Sequence, residues 1–184
     1  MFRTLAALAL LFAVAQPLAA GAATLDPENT LIMQLPKGTV TIKLRPDLAP
    51  NHVKRVKELT RQGFYDGTPF HRVIPGFMAQ GGDPTGTGTG GSTLPDLKAE
   101  FSSANFGRGT IGAARTNDPD TANSQFFICF NDCSFLNGQY TIWGEVVDGM
   151  EFVDALKPGN PNVNDGQVTK PDKLIKMTVA ADAK

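Results

Sequence analysis

Cysteine, histidine and tryptophan are scarce: the 184 residues hold 2 Cys, 2 His and 1 Trp. Two cysteines cannot build the dense disulfide framework of a small secreted scaffold. Cys129 and Cys133 stand in C-x3-C spacing, which excludes a C-x-x-C redox motif. Even with the distant His52 and His71 they supply too few ligands for a structural zinc site. Both read as structural, with a bond between them left open. An excess of one charge is missing too. The 17 Lys and Arg nearly balance 18 Asp and Glu. That argues against nucleic-acid binding and against a polybasic membrane patch. Internal repeats, long linkers and charge blocks are absent, and no metal, nucleotide or other cofactor site is expected.

Long apolar runs are also lacking, except at the start. MFRTLAALALLFAVAQPLAAGAATLD carries Arg3, an apolar run from Leu5 to Ala15, Pro17 and then small residues. This is the layout of a secretory signal peptide over residues 1–23, cleaved after Ala22 or Ala23. The run is shorter than the roughly 20 residues that a membrane span needs, and no cysteine follows for a lipid anchor. One domain over residues 24–184 is therefore expected, periplasmic or secreted, without membrane attachment after cleavage.

What the chain does have is glycine (19), proline (13) and 41% hydrophobic residues. That composition supports a real core, many turns and few long helices. TLIMQLP and TVTIKLRP flank Lys37-Gly38 as a hairpin, with Val40, Ile42 and Leu44 alternating onto one face. APNHVKRVKELTRQG places Val53, Val56 and Leu59 at helical spacing, and Gly63 is placed to stop that helix. FHRVI, GTIGAA, SQFFICF and TIWGEVV read as further strands. DGMEFVDALKP reads as a second helix, capped by Asp148 and stopped by Pro158. KLIKMTVAA is a last strand expected beside the first. The pattern suggests a mainly β fold, a closed antiparallel barrel capped by two helices, with a β-sandwich as the alternative.

Most chemistry-bearing residues have plain structural readings. GGDPTGTGTGGS has G-x-G spacing but lacks the strand before and helix after that a phosphate cradle needs, so it reads as a surface loop. His52 falls on the polar side of the first helix and reads as solvated, whereas His71, opposite in facing to Arg72, reads as buried and hydrogen-bonded. TNDPDTANSQ offers no carboxylate pair for glycoside chemistry, and Ser124 sits in no strained elbow. Hydrolase chemistry has little support.

FHRVIPGFMAQGGD at 70–83, SQFFIC at 124–129 and FLNGQYTIWGEVVDGM at 135–150 together resemble the cyclophilin family of peptidyl-prolyl isomerases, from about Thr30 to Val179. The stretch ARTNDPDTANSQFFI is similar to the bacterial, often exported, branch. The resemblance implies an eight-stranded antiparallel barrel with a helix at each end, a packed interior and a substrate groove on the outer face. It implies catalysis of Xaa-Pro rotation in unfolded or extended exported polypeptides, by a monomer. On that resemblance Arg72 donates to the twisted proline nitrogen, and Gln80 holds the guanidinium. Phe77, Met78, Phe127 and Leu136 form the proline pocket, Gln125 stands at its edge, and the loop at Ala114 and Arg115 holds the peptide. Phe135 and Tyr140 stand where the vertebrate cytosolic form has a tryptophan and a histidine. Tyr140 keeps an aromatic wall and a hydroxyl, so activity is expected to survive. The missing indole N–H implies weak cyclosporin binding. A chaperone-like binding module is the other reading, disfavoured because no extra client-binding segment is present.

Overall fold

Alternating side chains set the first two strands. Leu31, Met33 and Leu35 of β1 (Thr30–Leu35) and Val40, Ile42 and Leu44 of β2 (Gly38–Leu44) are all buried, while Gln34, Thr39 and Lys43 face solvent. In this computed structural model, residues 24–183 are described, and the expected signal peptide lies outside them. Leu35 pairs with Gly38, so the two-residue turn is Pro36-Lys37 and not Lys37-Gly38. The remaining elements are α1 (Pro50–Arg61), β3 (Arg72–Ile74), β4 (Met78–Gly81), β5 (Thr110–Ala113), β6 (Phe126–Cys129), β7 (Ile142–Asp148), α2 (Met150–Asp154), α3 (Pro161–Asn164) and β8 (Lys176–Val179).

The eight strands form one antiparallel sheet in the order β3-β4-β6-β5-β7-β2-β1-β8, with the last strand beside the first as the sequence suggests. The sheet is a half-barrel, which corrects the expectation of a closed one. Its two edge strands share no ladder; the segments that precede them meet instead, through the isolated Pro69–Lys173 bridge and through Phe70 N–H to Asp172 O and Leu174 N–H to Thr68 O, at 2.9 Å each. The reason lies at β3, whose outer edge is already occupied. Gly166 O accepts from Val73 N–H at 2.9 Å, and Val168 N–H donates to His71 O at 2.9 Å. A segment outside the sheet has taken the hydrogen bonds that β8 would need.

The concave side holds the main core, including Val53, Val56 and Leu59 of α1, Phe126, Ile128 and Trp143. Gly63, with φ of 68°, follows α1 as its stop. His52 departs from expectation: it is buried, with Nδ1 2.6 Å from Glu100 Oε2. The cause is at the helix N-terminus. Ala49 offers no side-chain acceptor there, so Glu100 folds over it and accepts from Asn51 N–H (3.1 Å) and His52 N–H (3.0 Å). His71 is buried as expected, but neither ring nitrogen finds a partner among the described residues. Asp148 does not cap α2: it pairs with Thr41 at the end of β7, and Gly149, left-handed at φ 79°, precedes the helix. A third helix, α3, was not anticipated. Its Asn160-Pro161 start is a recognisable signal, since the Asn160 side chain accepts from Asn162 N–H at 3.0 Å. Cys129 and Cys133 are buried and unbridged.

Candidate active site

Strand register places a row of residues straight across four neighbouring strands. Arg72 pairs with Gln80, Gln80 with Phe127, and Phe127 with Gly112. Because side chains alternate along a strand, this row shares the convex face of the sheet, while Val73, Ala79, Phe126 and Ile128 turn into the core. Met78, opposite Cys129, belongs to the same convex face. There Met78, Phe106, Phe127, Cys129, Cys133 and Ile142 form a second buried cluster, with Phe77, Leu136 and Tyr140 packed against it. FFIC is thus buried on both faces, one against the core and one beneath loops.

On this cluster opens a recess of about 250 Å³, lined by Arg72, Phe77, Met78, Gln80, Ala114, Arg115, Phe127, Leu136 and Tyr140. Its floor is apolar and one end carries the guanidinium. Phe127 is fixed by stacking on Phe106 (centroids 5.7 Å apart) and by an edge contact with Tyr140 (5.6 Å). Arg115 lies over the Tyr140 ring, 4.4 Å from its centroid, and donates to Thr116 O and Gln139 O at 2.8 Å each. That arginine braces the wall. Ala114 N–H is committed to Gln125 O at 2.9 Å.

Two of the sequence-derived candidates stand outside the recess. Phe135 is 62% exposed and leans on Phe77, ring centroids 5.4 Å apart. Gln125 lines an adjoining recess of about 450 Å³ that shares Gln80, Ala114 and Arg115 with the first. Gly88 to Gly91 form a wall of this second recess, so the glycine run has a place beside the site that its sequence does not disclose. The run is wound around Asp83, which is fully buried. Asp83 Oδ1 accepts from Thr85 N–H and Oγ–H, and Oδ2 accepts from Gly88 N–H (2.7 Å) and Gly90 N–H (3.1 Å). Burial opposes its ionisation, yet these hydrogen bonds outweigh it and hold the carboxyl down at about 2.

Polar contacts converge on Arg72. Its Nη1 donates to Gln80 Oε1 at 3.3 Å, Gln80 Nε2 donates to Gln125 Oε1 at 2.9 Å, and Gln125 Nε2 donates to Gly88 O and Gly90 O. A relay of amides therefore ties the guanidinium to the glycine run. From the other side, Nε donates to Asp165 O at 2.8 Å and Nη2 to Asp165 Oδ1 at 3.0 Å. Sequence reading missed Asp165, which lies 93 residues away in a turn with no helical or strand periodicity around it. Among the described residues, three of the five guanidinium N–H groups are thus engaged, leaving one on each terminal nitrogen.

The profile of the family described as cyclophilin type peptidyl-prolyl cis-trans isomerase/CLD matches residues 30–179. A probable peptidyl-prolyl cis-trans isomerase of Brucella suis is 55% identical over 174 residues, 89% of this chain and 88% of the relative. Peptidyl-prolyl cis-trans isomerase-like 1 of Mus musculus is 37% identical over 155 residues, 79% of this chain and 89% of the relative. Among solved structures, cyclophilin AquaCyp293 from Hirschia baltica superposes with a TM-score of 0.77 at 28% identity, covering 87% of this chain and 77% of that one. A Cryptosporidium parvum cyclophilin, crystallised in the presence of the dipeptide Ala-Pro, gives 0.74 at 28% identity, covering 82% and 98%. A convex-face recess with an arginine over an apolar floor, on an eight-stranded antiparallel half-barrel, thus comes with a match across nearly all the described residues: this chain belongs to the cyclophilin-type peptidyl-prolyl cis-trans isomerases.

Proposed function

We propose that this isomerase turns Xaa-Pro bonds in exported polypeptides, assisting their folding, and that Arg72 stabilises the twisted bond. The observation that carries the reading is a guanidinium with one spare N–H on each terminal nitrogen at the edge of an apolar recess. Rotation needs no nucleophile, metal or proton transfer. Its barrier of about 20 kcal/mol is lost amide resonance. As the bond twists, the proline nitrogen becomes pyramidal and gains a lone pair that neither planar ground state offers. A fixed donor meets that lone pair only in the transition state, which makes the stabilisation differential. An acceleration of about 10⁴-fold requires about 5.5 kcal/mol, within reach of a charge-assisted hydrogen bond plus binding in a dehydrated groove.

In this reading Phe77, Met78, Phe127 and Leu136 receive the proline ring, with Tyr140 as its wall. Gln80 steadies the guanidinium, Gln125 acts through Gln80, and Ala114 and Arg115 line the path of the peptide. A Cryptosporidium cyclophilin crystallised with Ala-Pro supports proline peptides as the ligand class. Export rests on residues 1–23. N-terminal sequencing of protein recovered from the periplasm or medium should begin at Ala23 or Thr24. The protein acts as a monomer, which light scattering checks. It binds cyclosporin weakly because the Phe135 side chain has no indole N–H to offer, and submicromolar affinity by calorimetry contradicts that.

The test is protease-free NMR exchange on a Xaa-Pro peptide. Arg72→Ala should lower the accelerated exchange about 10²-fold or more while peptide affinity changes little. If neither protein accelerates exchange and both bind, the groove is a proline-peptide binding module.

A further inference from the structure

We propose that Asp165 is a positioning residue for catalysis, the group that sets the plane of the Arg72 guanidinium above the recess. The proposal rests on the reading of Arg72 as the catalytic donor. Arginine has a long, rotamer-rich side chain, and Arg72 lies at the surface with its side chain 27% exposed. A donor acts on a transition state only if its direction is settled before the bond twists. Gln80 alone cannot settle it, since one contact of 3.3 Å leaves the plane free to turn. Asp165 adds two contacts to two different nitrogens, from its carbonyl to Nε and from its carboxylate to Nη2. With Gln80 these three contacts fix the guanidinium plane.

The backbone at Asp165 is shaped for this. It is left-handed, with φ 53° and ψ 34°, and among the described residues only one other non-glycine, Lys170, has positive φ. L-residues adopt that region at a cost, Asp and Asn most readily. Here it lets one residue present both carbonyl and carboxylate to one arginine. The turn is also locked in register with its target. Gly166 O accepts from Val73 N–H, Val168 N–H donates to His71 O, and Gly159 N–H donates to Val73 O. The residues on either side of Arg72 are therefore held by residues on either side of Gln167, which itself bridges to Arg72. The short α3 and its turn thus deliver Asp165 to one address. Its carboxylate is 79% exposed and bonds to no other side chain among the described residues. An exposed pair of this kind adds little to stability, so its value lies in orientation.

The experiment compares Asp165→Gly, Asp165→Asn and Arg72→Ala with wild type by the same NMR exchange, with peptide affinity and melting temperature measured alongside. Glycine and asparagine both tolerate the left-handed backbone, so the turn keeps its shape. Asp165→Gly should reduce kcat about five-fold with affinity and melting temperature unchanged. The Nε–H resonance of Arg72 should shift, since the carbonyl of residue 165 and the weaker Gln80 contact alone then hold the side chain. Asp165→Asn, with an amide oxygen to accept, should recover most of the rate. A wild-type rate in Asp165→Gly, beside a collapsed rate in Arg72→Ala, overturns the proposal and leaves Arg72 standing. Equal loss in the Gly and Asn variants overturns positioning in favour of a charge effect. A fall in melting temperature or affinity that tracks the rate shows a structural role and also overturns it. A wild-type rate in Arg72→Ala removes the reading of Arg72, and this proposal with it.

Discussion

Phe127 lies flat across the floor of the recess because of what is absent behind it. Gly112 stands directly opposite in β5, and a Cβ there would run into the rings of Phe127 and Phe106. Glycine is required at this point by the close approach of the two rings, since its own φ lies outside the left-handed region that favours glycine. Any side chain must push Phe127 toward the cavity or split its stack with Phe106. Gly112→Ala should therefore cost about 1–3 kcal/mol of stability, the usual range for overpacking. It should also lower kcat/KM about ten-fold through a narrowed recess. A melt and an exchange titration on one preparation check both. Unchanged activity in a destabilised protein would show that the ring shifts away from the recess.

The elements differ in how plainly the sequence announces them. Alternation marks β1 and β2, whose inward Leu31, Met33, Val40 and Ile42 follow the period of two. Val53, Val56 and Leu59 mark α1 by their helical spacing. The motif residues also reach one recess because they fall on a single row of strand register, and alternation alone puts Arg72, Gln80 and Phe127 on a common face. By contrast, α3 spans four residues and shows no period, and the partners of His52 and Arg72 lie 48 and 93 residues away. Contacts made by folding distant loops onto an element leave no spacing to read. Glu100 at the start of α1 is the clearest example. A carboxylate that accepts two helix amides and faces a buried histidine acts as the N-cap that Ala49 cannot provide. Replacing it by alanine should cost about 2 kcal/mol, from the lost cap and the stranded imidazole. Urea unfolding of Glu100→Ala at neutral pH measures this. A change below about 0.5 kcal/mol would mean that solvent replaces the cap without loss.

Across the whole molecule these buried polar groups share one direction of titration. Burial lowers the pKa of His52 and His71, only partly opposed by Glu100 and Asp83 respectively. Both imidazoles are thus less basic folded than unfolded. Their stabilising contribution is complete above the ordinary value of 6.5 and is lost as pH falls through the lowered ones. The Glu100 and Asp83 carboxyls are also lowered, burial opposing and hydrogen bonds prevailing. Their contribution is complete above the ordinary 4.5 and 3.8 and is lost below. For Asp83, the drop from 3.8 to about 2 corresponds to about 2 kcal/mol. All four groups bind more protons unfolded than folded over their windows, so each destabilises the fold on acidification and none compensates another. Urea midpoints should be level from pH 8 to about 6.5, decline gently below that as the histidines charge, and fall steeply under about pH 4. His52→Gln should weaken the first decline and Asp83→Asn the second, each lowering the plateau because a paired group is lost. A midpoint that stays level from pH 6.5 down to 4.5 would place the histidines in contact with solvent, and one that rises as pH falls from 8 to 6.5 would give them a carboxylate strong enough to raise them. Either outcome would undo the burial argument for both.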